Sequence, residues 1–197
     1  GVVIRKAPRL AQRRAISAAV LEDIRKFGDQ VRVEAMSDRI RIELQDMRNE
    51  IDRTMEFWAA NAIKGKIYDA DLTKVLIDYN MPATHDITLS GTGAELYWTN
   101  ASSDPITAIR DFKLIIEDDA GTTIDGWMAF VGSDVMNALL KHTKVRELLL
   151  YEKGRAIAEG GSVSRLSEVE LVEYNGSYID DSGVRRRFID PKEIVLV

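Results

Sequence analysis

The chain has 197 residues, 27 Lys and Arg against 32 Asp and Glu for a net charge of -5, and no cysteine. Disulfides, thiolate catalysis and zinc–thiolate sites are excluded, and nothing in the charge balance points to general nucleic-acid affinity. With 45% hydrophobic and 30% charged residues, the composition is that of a globular protein able to bury the core of one large domain or two small ones.

The longest apolar runs, such as Leu148-Leu149-Leu150-Tyr151, fall far short of the roughly 20 residues of a membrane span. No secretory signal is visible, because Arg5, Lys6 and Arg9 are followed by no apolar run. The absence of cysteine suits a reducing cytoplasm. The chain opens at Gly1 and stops at Ile194-Val195-Leu196-Val197, in what reads as an unpaired strand. The expectation is a piece of a longer polypeptide, with residues missing beyond both ends.

In chain order, residues 1–14 are basic, with Arg5, Lys6, Arg9, Arg13 and Arg14. They read as a solvated terminus, or as an arm that touches an acidic partner surface. Ile16, Val20, Ile24 and Phe27 share one face of a short helix over 15–27, with Gly28 where a left-handed cap would stop it.

A longer stripe follows. Val33, Met36, Ile40, Leu44, Met47, Ile51, Met55, Trp58 and Ala62 recur at steps of three and four, with no Gly or Pro before Gly65. This spacing predicts a helix over 36–63, about 40 Å long. Such a helix is too long for a domain of this size to cover, so part of it is expected to project toward something else. The stripe is not a strict heptad over enough turns to choose a coiled coil, and its methionines and Trp58 read as core. Pairs such as Arg39 with Glu43 and Arg48 with Asp52 add weak support at helical spacing.

Residues 65–100 read as a strand-rich link: an extended piece at Lys66-Ile67-Tyr68, a strand over 73–79, a break at Asn80-Met81-Pro82, and a further short strand at Ile87-Thr88-Leu89 ended by Gly91-Thr92-Gly93. Asp104 and Pro105 open the next helix, whose buried side is expected to hold Ile106, Ile109, Phe112, Leu114, Ile115 and Ile116. Asp118-Asp119-Ala120-Gly121 ends it. A buried strand is predicted over 123–131 around Trp127, Ala129 and Val131, then a helix from Ser133 through Leu140 and another over 145–151. The C-terminal part reads as a meander. Val169, Leu171 and Tyr174 lead into a hairpin turn at Asn175-Gly176, Ser177 to Ile179 returns, Asp181-Ser182-Gly183 turns again, and strands follow over 184–189 and 194–197.

Chemistry is nearly absent. His85 and His142 lie far apart, each without a second ligand at metal-binding spacing, and both read as structural. Turn formation accounts for Asp118-Asp119 and for Asp180-Asp181-Ser182-Gly183 better than a cation does. Gly91-Thr92-Gly93 and Gly160-Gly161-Ser162 match no phosphate loop, and no Gly-x-Ser-x-Gly elbow is present. Arg185-Arg186-Arg187 reads as an exposed hairpin, with an inter-subunit or nucleic-acid contact as the sharper alternative. In a strand at most two of these arginines share a face.

Four stretches, in this order, resemble the lambda-like tailed-phage major capsid protein family. They are Trp58-Ala59-Ala60-Asn61-Ala62-Ile63-Lys64-Gly65-Lys66-Ile67 at the end of the long helix, Leu76-Ile77-Asp78-Tyr79-Asn80-Met81-Pro82-Ala83-Thr84-His85, Tyr97-Trp98 with Ser103-Asp104-Pro105-Ile106, and Tyr174-Asn175-Gly176-Ser177-Tyr178-Ile179 with Gly183-Val184 and Phe188-Ile189-Asp190-Pro191. The match runs over residues 40–197, and residues 1–35 match poorly.

The resemblance implies an α+β chain with the tailed-phage major capsid fold: a long spine helix in a peripheral domain, beside an axial domain of mixed helices and strands. On that reading 1–35 is a basic segment with a short helix, 36–100 the spine helix and strand-rich link, and 101–197 part of the axial domain, all of it a truncated phage or prophage fragment. An extended arm that normally precedes the spine helix has no good candidate here.

The implied role is a shell subunit, with no catalytic residue, metal or cofactor and no small-molecule substrate. Copies would join as pentamers and hexamers into an icosahedral capsid around non-specifically held DNA, with scaffold, portal or decoration proteins as further partners. Its place would be the virion capsid, and the host cytoplasm during assembly. Arg39, Arg41, Arg48, Arg53, Arg185 and Arg186 are the expected assembly contacts. The alternative is a non-viral interaction module that docks a partner on the long helix; an enzyme using carboxylates alone finds no clustered constellation.

Overall fold

A computed structural model describes residues 10–15, 29–69, 73–89, 98–153, 164–180 and 182–197, with side chains outside the description at 29–36 and 150–153. The short helix expected over 15–27, Gly28, Gly91-Thr92-Gly93 and Gly160-Gly161-Ser162 lie outside the described residues.

The first described element is α1, Asp29–Ala62, 34 residues and so about 50 Å long. It begins seven residues before the expected start at 36, since nothing in Asp29–Ala35 breaks a helix. Ile63 N donates to Ala59 O at 3.2 Å, and Gly65 N to Ala62 O at 3.0 Å, so the last turn closes at Gly65. β1 (Lys66–Tyr68) and β2 (Val75–Asp78) then pair antiparallel, with Ile67 opposite Ile77. Asn80 turns the chain away at φ 53, its N–H donating to Asp78 Oδ1 at 2.8 Å.

The strand expected at Ile87-Thr88-Leu89 does not form. A 3-10 turn, Ala83–His85, precedes it, and among the described residues no strand lies beside it to pair with. Leu89 instead packs on the main core.

Helix α2, Pro105–Ala120, starts and stops where its residues dictate. Asp104 Oδ1 accepts from Thr107 N at 3.1 Å, Pro105 needs no donor in the first turn, and Gly121 closes the helix at φ 63 with its N–H on Glu117 O. Ile109 is fully buried, with Ile106, Phe112 and Ile116 against the core. Leu114 is 46% exposed, because the apolar run Leu114-Ile115-Ile116 covers more of the circumference than one buried face can take.

The Asp104 carboxyl is held below the usual carboxylate range by the Thr107 N–H and by Lys144, whose Nζ lies 3.0 Å away. A lowered folded-state pKa adds stability that is present above the ordinary aspartate range and is lost as pH falls through the lowered value. Asp104→Ala should therefore cost about 1 kcal/mol near neutrality. The gap from the parent should narrow on acidification, which denaturant unfolding at two pH values will read.

β3, Trp127–Val131, is shorter than the expected 123–131 and buries Trp127, Ala129 and Val131 on one face. It leads into α3, Ser133–Lys141, and α4, Thr143–Lys153. The strands β4 (Arg165–Leu166), β5 (Val169–Glu173) and β8 (Ile194–Leu196) complete a four-stranded sheet in the order β4-β5-β3-β8. β5 runs parallel to β3, and the α3–α4 pair makes the crossover that a parallel pair requires. β8 pairs antiparallel with β3, placing Leu196 opposite Ala129. The final strand is therefore paired, contrary to expectation.

β6 (Ser177–Ile179) and β7 (Arg185–Arg187) form a separate hairpin. Asn175-Gly176 is thus not a hairpin turn between β5 and β6. Both edges of β5 are already taken, by β4 and β3, so the chain leaves the sheet there.

The main core lies between the sheet and helices α2, α3 and α4, around Ile109, Val131, Met136, Leu139, Val145 and Val169. His142 belongs to it at 4% exposure. Its Nε2 lies 3.1 Å from both Asn100 O and Ser103 Oγ, and Ser103 Oγ donates to Asn100 O at 2.7 Å. Those contacts anchor the α3–α4 junction to the loop before α2, a structural role.

Candidate functional site

The feature that a compact fold does not use up is α1. At about 100° per residue, Ile40, Leu44, Met47, Ile51, Met55 and Trp58 share one narrow face. Phe57 and Ala60 lie roughly 120–180° round from it, and these are the described residues of the helix that the rest of the chain buries. Phe57 meets Tyr178 edge-on at 5.1 Å, Tyr178 stacks obliquely on Phe188 at 5.2 Å, and Tyr174 lies 6.3 Å from Phe188. Phe130, on the opposite face of β3 from the main core, meets Tyr174 at 5.9 Å. Lys64 Nζ donates to Phe188 O at 3.0 Å and pairs with Glu193 at 2.6 Å. The joint between α1 and the sheet is therefore aromatic, with one ion pair beside it.

Polar groups are drawn into the joint. The Tyr174 hydroxyl donates to Glu56; burial and that carboxylate push its pKa up to about 12. Burial likewise raises the Tyr178 phenol.

The outward face of α1 is only partly covered, and Trp58 at its end packs on the cluster of Phe57, Ala60 and Phe188. Leu44 is 60% and Met55 56% exposed, with Ile40 exposed and Met47, Ile51 and Trp58 only half-buried. The described residues of the stripe expected as core are thus exposed or half-buried, and none of them is fully buried. The helix docks mainly through a different face, because the aromatic groups of the C-terminal segment centre on Phe57, with Trp58 the stripe residue packed beside them.

Arg14 sits on the docked side of the helix, bonded to Glu43 at 2.8 Å and to Glu50, with Asp46 at 3.9 Å. The Arg14 guanidinium holds the Glu43 carboxyl below its ordinary range, so this contact is present above the usual glutamate range and is released as pH falls. The acidic surface that the basic segment meets here is its own helix. Glu43 and Glu50, one heptad apart on one side of α1, are the pattern that could have signalled it.

The expected contact arginines divide by setting. Arg39 pairs with Glu43 at 2.7 Å. Arg41 and Arg48 are 78% and 77% exposed, with only loose partners at 3.5 Å (Asp38) and 3.9 Å (Asp52). Arg53 is exposed and makes no ion pair among the described residues. In the hairpin, Arg186 is turned back onto Asp180 at 2.6 Å and holds that carboxyl low, while Arg187 donates to Asn175 O at 2.7 Å. Arg185, on the same face of β7 as Arg187, is exposed. The two groups of arginines stand on different elements, and no contact between them is present.

Asp119 accepts from the Thr84 hydroxyl at 3.0 Å and lies 2.8 Å from His85 Nε2, fastening the 3-10 turn to the end of α2. Among the described residues, no group of three His, Cys, Asp or Glu is placed to hold a metal ion, and no helix is long and apolar enough to cross a membrane.

Over residues 4–197 the chain matches the family described as phage major capsid protein E. It is also similar to a crystal structure provisionally described as the capsid protein of a prophage of E. coli CFT073, at 21% identity and a TM-score of 0.49, over 98% of this chain and 54% of that one. The chain thus spans about half the length of that solved relative. No protein of curated function matches it.

Proposed function

The chain belongs to the phage major capsid protein E family, a family of structural rather than catalytic proteins, and from that premise we propose that it builds a phage or prophage head shell by joining copies of itself. The family match over nearly the whole chain carries this reading. The exposed apolar and arginine-flanked face of a long helix is the kind of surface such a subunit would bring to a neighbour. Shell contacts repeat many times, so each can be weak while their sum is strong.

On this reading α1 is the spine helix of a peripheral domain, running with the link over 36–100. Residues 101–197 contribute to an axial domain, and the basic segment expected over 1–35 is limited to the residues before Asp29, where α1 begins. Arg39, Arg41, Arg48, Arg53, Arg185 and Arg186 are proposed contacts, with Arg41 and Arg48 the most available. Packaged DNA, held without sequence reading, and scaffold, portal or decoration proteins are proposed partners. The virion capsid is the destination, and host cytoplasm the place of assembly.

Electron microscopy of the full-length protein tests the reading. Shells, tubes or capsomer rings are the expected result. A protein that stays strictly monomeric over a wide range of concentration and salt would overturn it.

A further inference from the structure

We propose that the exposed face of α1 around Leu44 in one copy packs against the exposed face of α2 around Leu114 in the next, with the two helices antiparallel; this rests on the shell-subunit reading above. Each helix carries one strongly exposed leucine, Leu44 at 60% and Leu114 at 46%. Arg41 and Arg48 stand three residues before Leu44 and four after it, and Asp111 and Asp118 stand at the same two steps around Leu114. With about 100° per residue, both arginines lie roughly 40–60° to one side of their leucine, and both aspartates lie to the same side of theirs. Each charged pair spans one heptad, or about 10 Å along its helix. The two faces therefore match in spacing and oppose in charge, which is what selects one docking surface for another.

Neither face is taken up among the described residues. Arg41 and Arg48 have side chains 78% and 77% exposed and hold Asp38 and Asp52 only loosely, at 3.5 and 3.9 Å. Asp111 and Asp118 are exposed and make no ion pair among the described residues. Glu43 and Glu50, which hold Arg14, lie on the other side of Leu44 and are left undisturbed. The handedness of the helices sets their direction. With the leucines in contact, an antiparallel crossing brings the two charged sides together, Arg41 beside Asp118 and Arg48 beside Asp111. A parallel crossing leaves them on opposite sides of the leucine contact. Because the two faces differ, each copy offers α1 to one neighbour and α2 to another, the heterologous kind of contact that closes rings. The leucines supply the attraction by burial, and the four charges supply direction. A contact this small suits a shell, where many weak contacts add.

The chain contains no cysteine, so introduced thiols report the contact directly. Full-length Leu44→Cys and full-length Leu114→Cys are mixed before assembly, oxidised, and run without reductant. Disulfide-linked dimers are expected from the mixture and from neither variant alone. Asn49→Cys, on the far side of α1, should not link when mixed with Leu114→Cys. Arg41→Glu and Arg48→Glu, added to the Leu44→Cys copy, should lower the linked fraction severalfold. Asp111→Arg and Asp118→Arg in the other copy should then restore it, a rescue that a purely structural role of these residues would not give. Linking of Leu44→Cys with itself, equal linking from position 49, or none between 44 and 114 overturns the pairing. Microscopy judges the shell reading separately: particles with 44 and 114 unlinked sink the pairing alone, whereas a strictly monomeric parent removes both.

Discussion

Gly132→Ala is expected to cost at least about 3 kcal/mol and to lower the thermal midpoint by roughly 6–12 °C. A β-carbon at Gly132 would collide with Asp190 O and stand 2.5 Å from Pro191 O, both backbone atoms that cannot rotate away. The closeness serves a purpose. Helix α3 has no side-chain cap, and its first turn is satisfied by backbone instead: Asp134 N donates to Pro191 O at 2.9 Å and Val135 N at 3.2 Å, while Gly132 N donates to Glu193 O at 2.9 Å. Any shift that makes room for the methyl group pulls Pro191 O off the helix terminus and loosens the register of β8 on β3. Thermal or denaturant unfolding reads the effect. Stability equal to the parent would mean that the 190–191 backbone yields without loss, contrary to the packing described.

Phe188→Ala should destabilise the protein by about 3–5 kcal/mol and should act unevenly. Phe188 is 4% exposed and touches the rings of Tyr174 and Tyr178, the second of which contacts Phe57 of α1. Removing the ring opens a cavity in the joint between the helix and the sheet while leaving the main core intact. Amide exchange should therefore quicken most over 55–65 and in β6 and β7, with β3 and β5 holding their protection. Phe188→Leu, which keeps much of the volume, should retain most of the stability. Uniform acceleration across the sheet would show instead that the two clusters unfold as one unit.

These two sites were unequally legible beforehand. Gly132 carries no motif, since its small size is demanded by Asp190 and Pro191, nearly 60 residues away in sequence. Phe188 is readable as apolar, but not as the ring that meets Tyr178. By contrast, Asp104-Pro105 and Gly121 announce the limits of α2, because caps depend on groups within one turn of the terminus. The turn that ends at Gly183 is legible for the same reason: Gly183 N donates to Asp180 O at 2.9 Å and Asp180 N to Val184 O at 2.9 Å, all within five residues.

The sequence by itself determined that α1 is one long uninterrupted helix, that its apolar residues share a face, that α2 to α4 and β3 exist nearly where they do, and that no metal–thiolate or disulfide chemistry is open to the chain. Each of these follows from local backbone geometry, or from which residue types are present at all. Only the tertiary structure decided that α1 docks through Phe57 and Ala60, with Trp58 beside them, rather than along its stripe, that β5 lies between β4 and β3 so that Asn175-Gly176 leads out of the sheet, and that the last strand is paired. Periodicity states which side chains point the same way; which face is covered depends on what distant segments present to it. The stripe over Ile40, Leu44 and Met55 is left outward because the rings that meet the helix within this chain, Tyr178 and through it Phe188, are seated on its other side.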